Sequence, residues 1–114
     1  MRLVYKILRL EEWAQMQKDG IFSGSPDDRR DGFIHFSAAE QVRGTVEKHF
    51  AGESVLILLA VEAQALGEPL RWEVSRDGQK FPHLYAELPL TLVKSLHEIR
   101  RDHDGRWIFP EEIP

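Results

Sequence analysis

Cysteine is absent from the 114-residue chain. Its absence excludes a disulfide framework, thiolate metal sites and a cysteine nucleophile, and accords with a reducing compartment. Long hydrophobic runs are missing too: the longest, residues 55–61, is far too short to span a bilayer. The start, Met1-Arg2-Leu3-Val4-Tyr5-Lys6, has no apolar stretch ending in a small-residue cleavage site, so no secretory signal is read there. Positive charge is scarce, with 15 Lys and Arg against 19 Asp and Glu and a net charge of -4. Binding along a nucleic-acid backbone needs clustered cations. The densest basic run, Arg100-Arg101 with Arg106 nearby, is broken by Asp102 and Asp104 and reads as a solvated turn. Neither a Gly-rich phosphate loop nor a Gly-x-Ser-x-Gly elbow occurs. These absences predict a cytoplasmic protein with no membrane and no general nucleic-acid partner. They leave its oligomeric state open.

What is present suits a globular core. Hydrophobic residues make up 42% of the chain, and its length matches one domain, so residues 1–114 are expected to form a single unit. Residues 4–8 read as a strand. Leu10, Trp13, Met16 and Gln17 follow helical spacing up to Gly20, a suitable stop. Residues 23–32 are a long loop by composition, of the kind that often carries function. A strand over 33–36 runs into a helix opened by a capping box, Ser37-Ala38-Ala39-Glu40, and continued by Val42, Val46 and Phe50. Residues 55–61 are apolar on both faces, as in a central strand. Two hairpins follow: residues 70–74 and 81–85 about Asp77-Gly78, and residues 92–99 and 107–109 about Asp104-Gly105. Residues 110–114 read as a tail. Two early helices and many later strands give an α+β class with a mostly antiparallel sheet, split or strongly twisted.

Three strands repeat one pattern. Residues two apart on a strand share a face. His35 and Ser37 therefore oppose Ile34 and Phe36; Arg71 and Glu73 oppose Leu70, Trp72 and Val74; Phe81, His83 and Tyr85 oppose Pro82 and Leu84. Each pair has a plainer reading: Ser37 as a helix cap, Arg71 and Glu73 as a wet sheet face, His35 as a structural histidine, and His83 with Tyr85 on an edge strand after Pro82. Together they form a polar face suited to an anionic or polyhydroxylated ligand. His35, Glu73 and His83 are the candidate catalytic groups, and Ser37, Arg71 and Tyr85 the candidate ligand-binding ones. Two imidazoles and a carboxylate are also a metal donor set, but no compact ligand motif accompanies them, and no metal is assigned.

Three segments carry a family resemblance: Asp31-Gly-Phe-Ile-His-Phe-Ser-Ala-Ala-Glu-Gln41, Leu70-Arg-Trp-Glu73 and Phe81-Pro-His-Leu-Tyr85. In this order and spacing they resemble the bacterial domain-of-unknown-function family 952, over residues 4 to about 100. More distantly, a strand ending His-x-Ser and feeding a helix resembles the first motif of the ADP-ribosyltransferase superfamily, which includes RNA 2'-phosphotransferases. That resemblance implies an ADP-ribosyltransferase-like fold, NAD as cofactor or ligand, His35 and Ser37 at the nicotinamide ribose, and Tyr85 as a stacking ring. The superfamily's carboxylate follows its tyrosine, whereas Glu73 precedes Tyr85, and Glu87 and Glu98 lie in no recognisable motif. The expectation is a cleft for NAD or an ADP-ribose-like nucleotide, with transferase chemistry using Glu73 or His83 as general acid or base. The alternatives are a non-catalytic module binding a nucleotide or other small ligand, and an interaction domain with no ligand.

Overall fold

The computed structural model describes residues 2–114. The chain opens with strand β1 (Leu3–Leu8), helix α1 (Leu10–Asp19) and strand β2 (Ile21–Phe22), followed by helix α2 (Pro26–Asp31). Strands β3 (Ile34–His35) and β4 (Ser37–Ala38) lead through a short turn of helix, Ala39–Gln41, into α3 (Val42–His49). Then come β5 (Val55–Glu62), the single turn α4 (Ala63–Leu66), β6 (Leu70–Val74), β7 (Lys80–Leu84), β8 (Leu88–Pro89), β9 (Val93–Arg101) and β10 (Trp107–Ile108).

Every strand pairing is antiparallel. The strands form a curled, divided arrangement: five in the order β10-β9-β5-β1-β4, three in the order β3-β7-β6, and the pair β2-β8. The α+β class with an antiparallel, split sheet is thus observed. β5 lies between β1 and β9 and is buried on both faces. Its Leu56, Leu58 and Ala60 join Tyr5, Ile7, Val42, Val46 and Ile99 in one core. Ile57, Leu59 and Val61 join Val4, Leu8, Met16, Ile34, Phe36 and Leu84 in the other. Each fully buried aliphatic side chain contributes about 1.5–3 kcal/mol by leaving water.

Three sequence expectations change. Residues 23–32 are not simply a loop, because Pro26–Asp31 is helical. The Ser25 hydroxyl accepts the Asp28 N–H, and the Asp28 carboxylate accepts the Ser25 N–H at 2.9 Å. Pro26 sits in the first turn, where it costs no hydrogen bond, and Gly32 closes the helix at φ 86°, a backbone angle that favours glycine. A third early helix therefore joins the two expected. The capping box at Ser37 does not form either. Ser37 lies in β4, Glu40 is exposed, and the Gln41 side chain accepts the Ala38 N–H at 2.9 Å instead. Residues 110–114 are no free tail. Ile113 is buried in the core that holds Tyr5 and Val42, Tyr5 donates to Glu112 at 2.6 Å, and Arg43 donates to the Pro114 carbonyl.

The strand read over 33–36 divides at Phe36. His35 pairs with His83 in the three-stranded sheet, whereas Ser37 pairs with Tyr5 in the five-stranded one. β7 is the middle strand of its sheet, not an edge, even though it contains Pro82. Pro82 has no N–H to give, but its carbonyl accepts the Phe36 N–H at 2.9 Å, just where the chain passes between sheets.

Candidate functional site

A cavity of about 390 Å³ lies at this junction. β1, α2, α3 and the loop carrying Ser75 and Arg76 wall it, and His35, Ser37 and His83 face into it. Cross-strand pairing sets His35 beside His83, with ring centroids 5.6 Å apart, and Phe33 stacks on His83 at 4.0 Å.

Beneath His35 is a buried ionic network. Lys6 shares a face of β1 with Val4 and Leu8 and is itself buried, as is Asp28. Lys6 Nζ donates to Asp28 Oδ2 and to the His35 carbonyl, both at 3.0 Å. Asp28 also accepts the His35 N–H at 3.0 Å and meets His35 Nδ1 at 2.6 Å. The second ring nitrogen, Nε2, lies 3.0 Å from Asp31. Burial alone would raise the Asp28 pKa. The His35 side chain, the Lys6 charge and the Ser25 and His35 backbone donors outweigh it and hold the carboxyl well below its ordinary range. For Lys6, burial is the largest influence and pushes the ammonium below the usual lysine value, opposed by Asp28.

His83 is held from the opposite side. Its Nδ1 is 2.9 Å from Glu73 Oε1, and the same oxygen accepts the Tyr85 hydroxyl at 2.7 Å. Those two contacts, Tyr85 first, lower the Glu73 pKa, and the Glu73 contact raises that of Tyr85. The Arg71 guanidinium lies over the Tyr85 ring, 4.9 Å from its centroid. A carboxylate on Nδ1 calls for a proton there, and in the neutral ring this leaves Nε2 as the acceptor.

Of the six sequence candidates, His35, Ser37 and His83 line the cavity. Arg71, Glu73 and Tyr85 form a connected group behind His83 and do not line it. The shared facing of Arg71, His83 and His35 follows from their register, since Arg71 and His35 are both paired with His83. Sequence reasoning missed Lys6, Asp28, Lys48 and Arg76. Lys6 was detectable as a cation within an apolar strand alternation. Asp28 was detectable through the Ser25-Pro26…Gly32 helix pattern.

The part of the lining supplied by α3 and the turn after β6 carries the cations Lys48 and Arg76. Arg76 Nη2 donates to Thr45 Oγ1 at 3.3 Å, and the guanidinium lies 4.9 Å from the Phe81 ring centroid. Thr45 donates to the Gln41 carbonyl at 3.1 Å, and Ser37 Oγ is 3.0 Å from Thr45 Oγ1. Gly44 lets Arg76 pass close over α3, because a Cβ there would sit 3.2 Å from Arg76 Nη2 and push the guanidinium slightly away. Burial, then Arg76 and Lys48, push the nearby His49 pKa down, as expected in a positive local field. Among the described residues, neither Arg76 nor Lys48 has a carboxylate within ion-pair distance. Also among the described residues, no group of three histidine or acidic side chains is placed to hold a metal ion, and no helix is long and apolar enough to cross a membrane.

The fold recurs in solved structures. The crystal structure of protein CC0527 from Caulobacter crescentus, a structural-genomics target, is 48% identical, covers 93% of both chains and superposes with a TM-score of 0.87. Its solution NMR structure is 50% identical over 92% of this chain and 90% of that one, with a TM-score of 0.82. No curated protein matches. Residues 7–96 match the family model described as protein of unknown function (DUF952), and the chain belongs to that family.

Proposed function

We propose that the cavity binds an anionic, ribose-containing ligand, with NAD or ADP-ribose the first to try. The observation that carries this reading is a pair of cations in the lining, Lys48 and Arg76, without carboxylate partners among the described residues. The His83 imidazole lines the same cavity, while His35 holds both ring nitrogens against Asp28 and Asp31 and Ser37 meets Thr45. A guanidinium with free donors suits a phosphate, and an imidazole nitrogen suits a sugar hydroxyl. The distant resemblance to ADP-ribosyltransferases points the same way, since its His-x-Ser residues, His35 and Ser37, both face the cavity.

Binding is favoured over turnover by a specific observation. The carboxylates lining the cavity are Glu12, Asp27, Asp28 and Asp31, all preceding Tyr85, and Tyr85 itself lies behind His83. A transferase of this kind would lack its late acid, leaving His83, oriented by Glu73, as the group placed to take a proton.

Thermal shift provides the test, because a ligand at a hundred times its dissociation constant adds about 2.7 kcal/mol. NAD or ADP-ribose should raise the melting temperature. His35→Ala should diminish the shift, and Arg101→Ala, whose side chain does not line the cavity, should not. An unchanged melting temperature with millimolar NAD, ADP-ribose and AMP would sink the reading. Release of nicotinamide on prolonged incubation would replace the binding module with an enzyme.

A further inference from the structure

Strand β6 is an edge of the three-stranded sheet. Its partner residue to Trp72 is Pro82, whose carbonyl turns the other way to accept the Phe36 N–H, so Trp72 and Pro82 are not a hydrogen-bonded pair. Backbone groups of alternate residues point to opposite edges of a strand. Arg71 and Glu73 therefore bond to β7, and Trp72 and Val74 direct their N–H and C=O groups outward. Among the described residues, these outward groups have no hydrogen-bond partner. Proteins blunt such edges with proline, lysine or a bulge. Leu70–Val74 has none of these, its register with β7 is unbroken, and Val74 is 66% exposed.

We propose that β6 is a self-association edge, through which two copies of the chain pair antiparallel about a twofold axis at Trp72 and join their three-stranded sheets into one. The strand is self-complementary about that residue. Arg71 faces the partner's Glu73 and Glu73 faces the partner's Arg71, Leu70 and Val74 face one another, and Trp72 meets its own copy. The backbone selects the same register, because Trp72 is the central residue with both groups pointing outward. Axes at Arg71 or at Glu73 would set like charges face to face. With the axis at Trp72, the Arg71–Glu73 pairs fall at non-hydrogen-bonded positions, where cross-strand side chains are closest. Both side chains have capacity to spare. His83 and Tyr85 occupy Glu73 Oε1 and leave Oε2, and Arg71 lies over the Tyr85 ring without an ion pair among the described residues. Two five-residue strands make a small interface, so the dimer is reversible rather than obligate.

Sedimentation equilibrium of the intact protein, from about 10 µM to about 1 mM, tests it. The mass should rise with concentration from the 13.2 kDa of one chain toward twice that value. Arg71→Glu and Glu73→Arg each set like charges opposite one another at two positions, and each should weaken self-association by about tenfold. An equimolar mixture of these two variants should restore it, since every charge in one then faces its opposite in the other. Val74→Pro removes an outward donor and no bond to β7, so it should leave a folded monomer whose unfolding midpoint is little changed. A wild-type chain that keeps its monomer mass at every concentration overturns the proposal. So does a dimer that survives Val74→Pro and both charge reversals, and so does a mixture of the two reversals that stays monomeric.

Discussion

The two histidines that line the cavity are each paired with a carboxylate, and the two pairs are built in opposite senses. In Asp28–His35 the acid is buried, with 2% of its side chain exposed, and the ring is 37% exposed. In Glu73–His83 the ring is buried at 6%, and the acid is 38% exposed. A buried carboxylate must have its whole charge answered by protein, and Asp28 has Lys6, His35 and two backbone donors. An exposed carboxylate is answered largely by water, so the cost of removing Glu73 is that of the buried His83 nitrogen it leaves unpaired, about 1–3 kcal/mol, and its importance lies in orienting His83. The first pair therefore serves mainly stability, and the second sets the state of an imidazole that faces the cavity.

The largest expected effect comes from breaking the first pair. Asp28→Asn leaves Lys6 buried without a counter-charge and should cost about 3–5 kcal/mol, as removal of one partner from a buried ion pair does. The pH dependence carries the same information. Because the folded-state pKa of Asp28 is depressed, its contribution is fully present above the unfolded value of about 3.9 and is lost as pH falls toward the folded value. Denaturant midpoints measured between pH 5 and 2 should fall steeply in the wild-type protein and less steeply in Asp28→Asn. Equal slopes would mean that the network is not held as a charged pair.

Lys6→Met should cost less. Asp28 keeps the Ser25 and His35 backbone donors and the His35 ring, and methionine fills the space of the lysine stem, so about 1–3 kcal/mol is expected. A loss as large as that of Asp28→Asn would show that the ammonium, and not the histidine, is what sustains the buried acid.

How much of this was legible follows the same division. Period-two alternation placed His35, Arg71, Glu73, His83 and Tyr85 on one face, because strand facing is a local property of sequence. It could not separate cavity wall from outer surface, since that depends on β3 joining β7 and on the chain changing sheets at Phe36, both contacts between distant segments. Lys6 meets Asp28 across 22 residues, and neither residue alone signals the other. Helix α2 was readable from its caps but was masked by a composition rich in Ser, Gly, Pro and Asp. Arg76 has no periodic signal at all, because it lies in a turn and acts by crossing a glycine on another helix.

The smallest structural effect, and the sharpest test of the second pair, lies at Glu73. Its carboxylate is partly exposed on the edge strand β6, so Glu73→Leu should move the unfolding midpoint less than Asp28→Asn does. Its consequence should appear in the state of one ring. With Glu73 present, nitrogen NMR of His83 should show the Nδ1–H tautomer with Nε2 bare; with leucine in its place, nothing on the protein side selects that tautomer and the preference should be lost. Tyr85→Phe should preserve the tautomer, because the phenol touches the carboxylate and not the ring. An Nε2–H tautomer in the wild-type protein would remove the proton acceptor from the cavity. His83 would then be a hydrogen-bond donor to the ligand, and any chemistry at this site would have to begin from His35 or an α2 carboxylate.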